Sequence, residues 1–374
     1  MPAVLAWLWL PETAGAANVT MTAMRPTFEQ DVKLDEQPFR LEAGGELPEV
    51  TLRCAWYGHP ESAPGGVMLI CHALTGSARI ADWWGDLVGP GHLFDPERYA
   101  LVGINVLGSC YGSTGPPTID PRTGRPYAAR FPLVTIGDIV RAQALALQKL
   151  GIARLSAVVG GSIGGMQALR WAVDFPDALD VCCAIGATPL PAMGLALNHL
   201  QRRAIQQDPA WQGGDYTTQP AAGLALARAI AMCSYKSAAL FDDRFGRRPD
   251  RSGEDPRMTL AARYDVAGYL DHQGEKFVRR FDANSYLILS KAMDTFDLAA
   301  AELARIRARV HLIGLSSDWL FPASAVRALA ERMRTVGVPV EYAEVSTDHG
   351  HDGFLAEPAA ITPLLRAALE PTRS

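Results

Sequence analysis

No apolar run in this 374-residue chain is long enough to span a bilayer. Ala3 to Leu10 is hydrophobic but short, ends at Pro11, and has no Lys or Arg before it, whereas a secretory leader has a basic start. Residues 1–34 are therefore expected to be a disordered or mis-started extension, with Met21 or Met24 as alternative starts. Cysteine is sparse: six residues, at 54, 71, 110, 182, 183 and 233, none in a C-x-x-C pair. That excludes a disulfide framework and predicts reduced, mostly buried thiols in a cytoplasmic protein. Charge of one sign is nowhere concentrated, and the net charge is −5. This excludes the basic stripe of a nucleic-acid binder and the charged block of a tail. There is no internal repeat and no low-complexity segment. No metal grouping stands out, and no membrane or nucleic-acid partner is expected.

Hydrophobic residues make up 48% of the chain, ample for a large core. Val67 to Leu74 and Tyr99 to Val106 are nearly continuous apolar runs, as expected of strands covered on both faces. Phe39 to Leu41 and Val50 to Tyr57 read as two further strands joined by the Ala43-Gly44-Gly45 turn. The long Gly/Pro/Ser/Thr-rich loop from Leu107 to Pro132 is of the kind usually kept for function. Thr135-Ile-Gly-Asp138 has the form of a capping box, and Ile139, Ala142, Ala146 and Leu150 follow at helical spacing. Leu155 to Gly160 and Val181 to Ile185 are strands, with a helix from Ile163 to Val173 between them. Such alternation predicts a parallel-rich α/β sheet.

The rhythm changes after Thr188. Leu195–Ile205, Gly223–Tyr235, Val266–Phe277 and Ser285–Met293 read as helices, without a convincing strand among them. Alternation returns with strand Val310–Leu315, helix Ala323–Val336, strand Val340–Val345 and a helix from Pro358. The expected organisation is an α/β core of residues 35–188 and 303–374, interrupted by a helical insertion at 189–302.

Chemistry centres on Gly160-Gly161-Ser162-Ile163-Gly164, where an apolar strand meets a helix. A G-x-S-x-G elbow lifts one hydroxyl above a sheet, and its glycines make room for the sharp turn. A Walker phosphate loop would need a Gly-Lys-Ser/Thr end, which is absent, as is a G-x-G-x-x-G fingerprint. A serine needs a base, and the base an orienting acid. In this fold they follow the serine in chain order, acid then base. The two late strands lead into Ser316-Ser317-Asp318 and Asp348-His349-Gly350-His351-Asp352. Asp318 is the expected acid; His349 and His351 both remain candidates for the base. The oxyanion donors are expected to be the N–H groups of Ile163 and of Leu74, in the loop after an early strand. His72 precedes the serine and is assigned a structural role.

Beyond these features the chain resembles the homoserine O-acetyltransferase family of α/β-hydrolase-fold acyltransferases, from about Arg40 to Leu369. The resemblance is carried by Cys71-His-Ala-Leu-Thr-Gly76, Asn105-Val-Leu-Gly-Ser-Cys-Tyr-Gly-Ser-Thr-Gly-Pro116, Gly160-Gly-Ser-Ile-Gly-Gly-Met-Gln-Ala-Leu169, Tyr269-Leu-Asp-His-Gln-Gly-Glu275, Arg280-Phe-Asp-Ala-Asn-Ser-Tyr286, Ser317-Asp-Trp-Leu-Phe-Pro322 and Gly350-His-Asp-Gly-Phe-Leu355. It implies an α/β-hydrolase fold with a helical lid. It also implies Ser162 as nucleophile, Asp318 as acid and His351 as base.

By the same resemblance Arg228, in Gly223-Leu-Ala-Leu-Ala-Arg228, holds an amino-acid acceptor's carboxylate. Asp352 takes its ammonium group and Tyr235 adds a hydrogen bond. The implied reaction is acetyl transfer from acetyl-CoA to L-homoserine in methionine biosynthesis, through an acyl-serine. No bound cofactor is expected, since acetyl-CoA is a co-substrate, and a homodimer packed through the lids is. Three departures from the family are visible; the one at Ile163 should be harmless to an N–H donor, and those near the expected acyl pocket bear on acyl selection. Ser77-Ala78-Arg79 stands where Asp-Ser-His is frequent, Ser109 replaces a common glycine, and Ile163 replaces Met, Leu or Phe. Arg79 could meet a succinyl carboxylate or be merely exposed. Succinyl-CoA as donor, serine as acceptor, and an esterase are the competing readings.

Overall fold

The computed structural model describes residues 23–370. Its strands are β1 (Phe28–Lys33), β2 (Phe39–Arg40), β3 (Glu46–Leu47), β4 (Thr51–Tyr57), β5 (Val67–Cys71) and β6 (Ala100–Ile104). They continue with β7 (Ile119–Asp120), β8 (Arg125–Pro126), β9 (Leu155–Gly161), β10 (Leu179–Ile185), β11 (Arg309–Leu315) and β12 (Val340–Val345). Eight of these form one sheet in the order β1-β4-β6-β5-β9-β10-β11-β12. From β6 to β12 all pairs are parallel, while β4 runs antiparallel to both β1 and β6.

Side chains alternate across this sheet, so it has two cores. Val158, Cys182 and Leu312 face one of them, with Met166 and Leu169 of the helix after the elbow. Ala157, Val159, Cys183 and Ile313 face the other, with Trp84 and Leu365. β5 is buried along its whole length, as its apolar run requires. The chain leaves β5 to one side for β6 and returns to the other for β9. This reversal makes the β5/β9 boundary a switch point, where open α/β sheets place their ligands.

The core helices are α1 (Ala81–Trp84), α2 (Ile136–Lys149) and α3 (Ile163–Asp174). The Thr135 capping box forms as expected: Asp138 N–H donates to Thr135 Oγ1 and Thr135 N–H to Asp138 Oδ2, each at 3.0 Å. Asp138 also accepts from Glu42 N–H at 3.0 Å, tying the early hairpin to α2. Gly151, at φ 78°, ends that helix. Between β10 and β11 lie α4 (Ala192–Gln206), α5 (Ala221–Tyr235), α6 (Ala238–Arg244), α7 (Asp265–Val278), α8 (Ala283–Asp294) and α9 (Ala300–Leu303). α5 packs on α4 and α7, and α4 on α8, giving the all-helical lid. After β11 come α10 (Ala323–Thr335), α11 (Gly353–Ala356) and α12 (Pro358–Leu369). No single helix among the described residues is long and apolar enough to cross a membrane.

Two expectations need correction. The extension was expected to run through residue 34, yet Phe28–Lys33 is an edge strand in register with β4. Its Glu29, Asp31 and Lys33 point to solvent and only Val32 is buried, the charged pattern of an edge, which hides a strand from a reading based on apolar runs. The Ala3–Leu10 run lies outside the described residues. The strand at Phe39 also does not pair with Val50–Tyr57. Gly44 and Gly45, at φ 90° and 85°, fold the chain back so tightly that β2 pairs with Glu46–Leu47. The 107–132 loop contains the small β7–β8 hairpin.

Candidate active site

Ser162 sits between β9 and α3 at φ 59° and ψ −129°, a left-handed backbone rare for a non-glycine residue. Two glycines permit it. A Cβ at Gly160 would lie 2.4 Å from the Gly164 main chain, and one at Gly164 would lie 2.3 Å from the Cys71 carbonyl oxygen. Strand, elbow and helix therefore close on each other with no space for side chains. Ser162 N–H still donates to Ile185 O at 2.9 Å, continuing the sheet past the end of β9.

Asp318 and His351 come together across the loops after β11 and β12. His351 Nδ1 donates to Asp318 Oδ2 at 2.6 Å, which leaves Nε2 as the basic atom. Asp318 Oδ1 accepts from the N–H groups of Leu320 and Phe321, both at 2.9 Å, so this carboxylate caps a turn and orients a base at once. The two loops are stapled together: Thr347 N–H donates to Ser316 Oγ, and Gly350 N–H to Ser317 Oγ, each at 3.0 Å. The imidazole stacks on Phe321 at 5.0 Å and meets the edge of Phe354. Burial opposes protonation of His351, but Asp318, and to a lesser degree Asp352, favour it; the balance raises its pKa above the ordinary value. His349 is turned away, 3.8 Å from Glu357, so His351 alone is oriented by the acid.

His351 Nε2 is buried and has no protein hydrogen-bond partner among the described residues, Ser162 Oγ included. No hydrogen bond closes between serine and base among the described residues, as is common before substrate binds. Gly186 links them. It follows Ile185, the acceptor of the Ser162 N–H, and a Cβ there would sit 3.4 Å from Asp318 Oδ2 and 3.5 Å from the His351 ring.

The N–H groups expected as oxyanion donors are those of Ile163 and Leu74. Ile163 begins α3, so its N–H has no intrahelical acceptor, and Leu74 N–H has no protein acceptor among the described residues. Leu74 lies in a turn closed by Gly76 N–H to Ala73 O at 2.9 Å. His72 supports that turn. Val106 N–H donates to its Nε2 at 3.2 Å, so its proton is on Nδ1, 2.8 Å from Ala73 O. Burial lowers the His72 pKa to about 4, keeping the ring neutral and in the structural role assigned to it. Gln167 Nε2 reaches both His72 O, at 3.4 Å, and Ile163 O, at 3.2 Å, joining the two donor segments.

On the lid side Arg228 is nine-tenths buried and makes no ion pair within 4.0 Å among the described residues. Its guanidinium instead packs on the rings of Phe277, at 5.3 Å, and Tyr235, at 5.6 Å. Tyr235 in turn lies 5.9 Å from the His351 ring, so arginine, tyrosine and base form a continuous wall. Asp352 is buried behind His351, and burial raises its pKa against the pull of Lys236, Arg228 and His351. Lys236 Nζ stands 3.4 Å from Asp352 Oδ2. An open cavity of about 450 Å³ lies beyond, between Lys236, Phe241 and Trp319.

Arg79 is not at the site: it makes a two-pronged contact with Glu29 of β1, at 3.0 and 2.8 Å, on the surface. Lys236, Gly186 and Gln167 were missed. Gln167 and Lys236 had visible signals, a polar residue inside the elbow helix and a lysine directly after Tyr235. Gly186 had only its place after a strand. Among the described residues no group of three or more His, Cys, Asp or Glu could hold a metal ion.

Residues 66–358 match the sequence family described as the alpha/beta hydrolase fold, so fold and site together define a member of that class. Resemblance extends further. The chain is 40% identical over 363 residues to a homoserine O-acetyltransferase of Geotalea uraniireducens, covering 92% of this chain and 97% of that one. The crystal structure of homoserine O-acetyltransferase from Bacillus anthracis superposes with a TM-score of 0.84 at 25% identity, covering 92% of this chain and 99% of that one. Esterase E22 superposes with a TM-score of 0.82 at 23% identity, covering 92% of this chain and all of the other; at that identity the likeness concerns the fold alone. The chain belongs to the homoserine O-acetyltransferase family, and it is an enzyme.

Proposed function

We propose that the protein transfers an acetyl group from acetyl-CoA to the γ-hydroxyl of L-homoserine, by a ping-pong route through acetyl-Ser162. The observation that carries this reading is the presence, on the lid side of the triad, of a buried Arg228 that makes no ion pair among the described residues and of a buried Asp352. A hydrolase needs only water on that side. An α-amino acid needs a planar cation for its carboxylate and an anion for its ammonium group.

In the first half-reaction His351 Nε2 takes the Ser162 proton as Oγ attacks the thioester carbonyl. The oxyanion is held by the N–H groups of Leu74 and Ile163. CoA leaves as the thiol, taking the proton from His351. In the second half, the acceptor's carboxylate lies on Arg228 and its ammonium group near Asp352, with Tyr235 as a further hydrogen-bond partner. His351 then deprotonates the γ-hydroxyl, which attacks the acetyl-serine carbonyl. The ester leaves and the proton returns to Ser162. The helical lid orients the acceptor and limits water, which favours transfer over hydrolysis. No bound cofactor takes part. The reaction serves methionine biosynthesis in the cytoplasm, and the enzyme acts as a homodimer. The exposed Met193, Leu200 and Leu226 on α4 and α5, each more than half accessible, support a lid-to-lid contact.

The test supplies the purified protein with acetyl-CoA or succinyl-CoA, and with homoserine, serine or no acceptor, while free CoA is followed. Sustained CoA release that requires homoserine and acetyl-CoA is the expected outcome. Release at the same rate without an acceptor would make it a hydrolase, and preference for succinyl-CoA or serine would reassign donor or acceptor.

A further inference from the structure

One motif of the sequence has a residue that neither the triad nor the acceptor contacts employ. In Arg280-Phe-Asp-Ala-Asn-Ser-Tyr286, most members wire the lid to itself. Asp282 caps α8, with Ser285 N–H donating to it at 2.7 Å. Asn284 accepts from Trp211 Nε1 at 3.0 Å and donates to Gly214 O at 2.8 Å. Tyr286 donates to Gln201 Oε1 at 2.5 Å.

Arg280 does something different: it leaves the lid for the core. Its Nη1 donates to Thr75 O at 2.8 Å and to Tyr111 Oη at 2.9 Å, and its Nη2 to Thr75 Oγ1 at 3.2 Å. Thr75 is the residue after Leu74, inside the turn closed by Gly76 N–H to Ala73 O. The core side of that turn is already pinned by His72 and Gln167. Its lid side is pinned by Arg280, through both the carbonyl and the hydroxyl of one residue. No carboxylate lies within 4.0 Å of this guanidinium among the described residues, and it shares the ring of Phe277 with Arg228, at 5.1 and 5.3 Å. A half-buried cation bonded to a carbonyl, a threonine and a tyrosine loses part of its solvation without the return of an ion pair, which points away from a purely stabilising role.

We propose that Arg280 is a positioning residue for the oxyanion hole, by which the lid fixes the turn that presents the Leu74 N–H. This rests on the reading of Leu74 as an oxyanion donor, and it extends that reading from the core to the lid. The same lid that receives the acceptor thereby sets the electrostatics of both half-reactions, because the oxyanion forms in each.

Rapid mixing of the whole enzyme separates the two halves: CoA release on acetyl-CoA alone reports acylation, and decay of the acetyl-enzyme on adding homoserine reports transfer. Arg280→Met is expected to slow both steps by about 100-fold, the cost of losing one oxyanion donor, with the homoserine KM within about threefold of wild type. Arg280→Lys, able to keep one of the bonds, should recover about tenfold of that loss. Unchanged acylation with a raised homoserine KM would overturn the proposal and make Arg280 an acceptor-binding residue. Equal losses in Met and Lys variants, with a falling melting temperature in both, would also overturn it and leave a packing role. If Arg280→Met does not fold, Arg280→Lys decides: slower acylation at constant KM supports the proposal, and normal acylation ends it. A wild-type enzyme with no acylation burst would instead defeat the acyl-serine reading itself.

Discussion

The core and the lid hold their functional groups by different means. In the core, main chain and missing side chains do the placing. Ser162 is held by a strand-to-helix turn that only glycines fit, and Asp318 by two backbone N–H groups. In the lid, aromatic faces and long side chains do it. Arg228 lies between Phe277 and Tyr235, and Lys236 reaches across to Asp352. Backbone geometry is inherited with the fold and is hard to alter one residue at a time. Side-chain geometry can be retuned by single substitutions. The difference fits a division in which the core supplies the serine, acid and base, while the lid adds adjustable side-chain contacts, Arg228 beside the site and Arg280 on the turn that carries Leu74.

The sharpest way to break that comparison is Ser162→Ala, which should lower kcat by at least about 10⁴-fold while leaving stability nearly intact. Retained turnover, measured by CoA release, would mean the elbow is not the chemical centre. Next comes Arg228→Met. Acylation by acetyl-CoA should proceed normally, and the homoserine KM should rise about 30- to 100-fold, the value of a charged hydrogen-bonded contact. Slowed acylation would take Arg228 out of the acceptor-binding role.

Asp352→Asn should act more modestly and on both sides. The homoserine KM should rise about tenfold. His351 must be neutral to act as a base, so activity falls as pH drops through its pKa. Asp318 and Asp352 together raise that pKa against burial, so the acidic limb of kcat/KM for the donor should lie above the ordinary histidine range in the wild type. Removing the Asp352 charge should move this limb to lower pH; a limb moving upward would contradict the assigned electrostatics. The smallest effect belongs to Arg79→Ala. An exposed pair with Glu29 is worth about 0.5 kcal/mol, and the ratio of acetyl-CoA to succinyl-CoA use should not change. A changed ratio would return Arg79 to the acyl pocket.

Legibility in the sequence followed the same division. The elbow turn and Asp318 could be read from residue types at strand ends, because the core's devices are local in the chain. The choice between His349 and His351 could not, since it depends on which way a short loop turns, and only family resemblance indicated it. Arg228 and Asp352 likewise came from resemblance, because a helix arginine by itself is no different from a solvated charge. Arg79 was left open between an acyl contact and the surface for a related reason. Its partner Glu29 lies in an edge strand whose alternating charges conceal it, so nothing nearby in the sequence marked the arginine as taken. Lys236 and Arg280 act across distances of 116 and 205 residues along the chain, beyond the reach of any local pattern.

Gly186 has a consequence that concerns distance more than chemistry. Neighbouring strands lie about 4.8 Å apart, so the ends of β9 and β12 are separated by about 14 Å, far beyond the span of a serine–histidine hydrogen bond. The loop carrying His351 must bridge that gap by doubling back over the ends of β11 and β10. Gly186, at φ 53°, lies beneath that crossing, with the Asp318 carboxylate and the His351 ring next to it. A Cβ there would already lie in ordinary contact with the Asp318 carboxylate and the His351 ring, so any larger side chain would have to lift base and acid together.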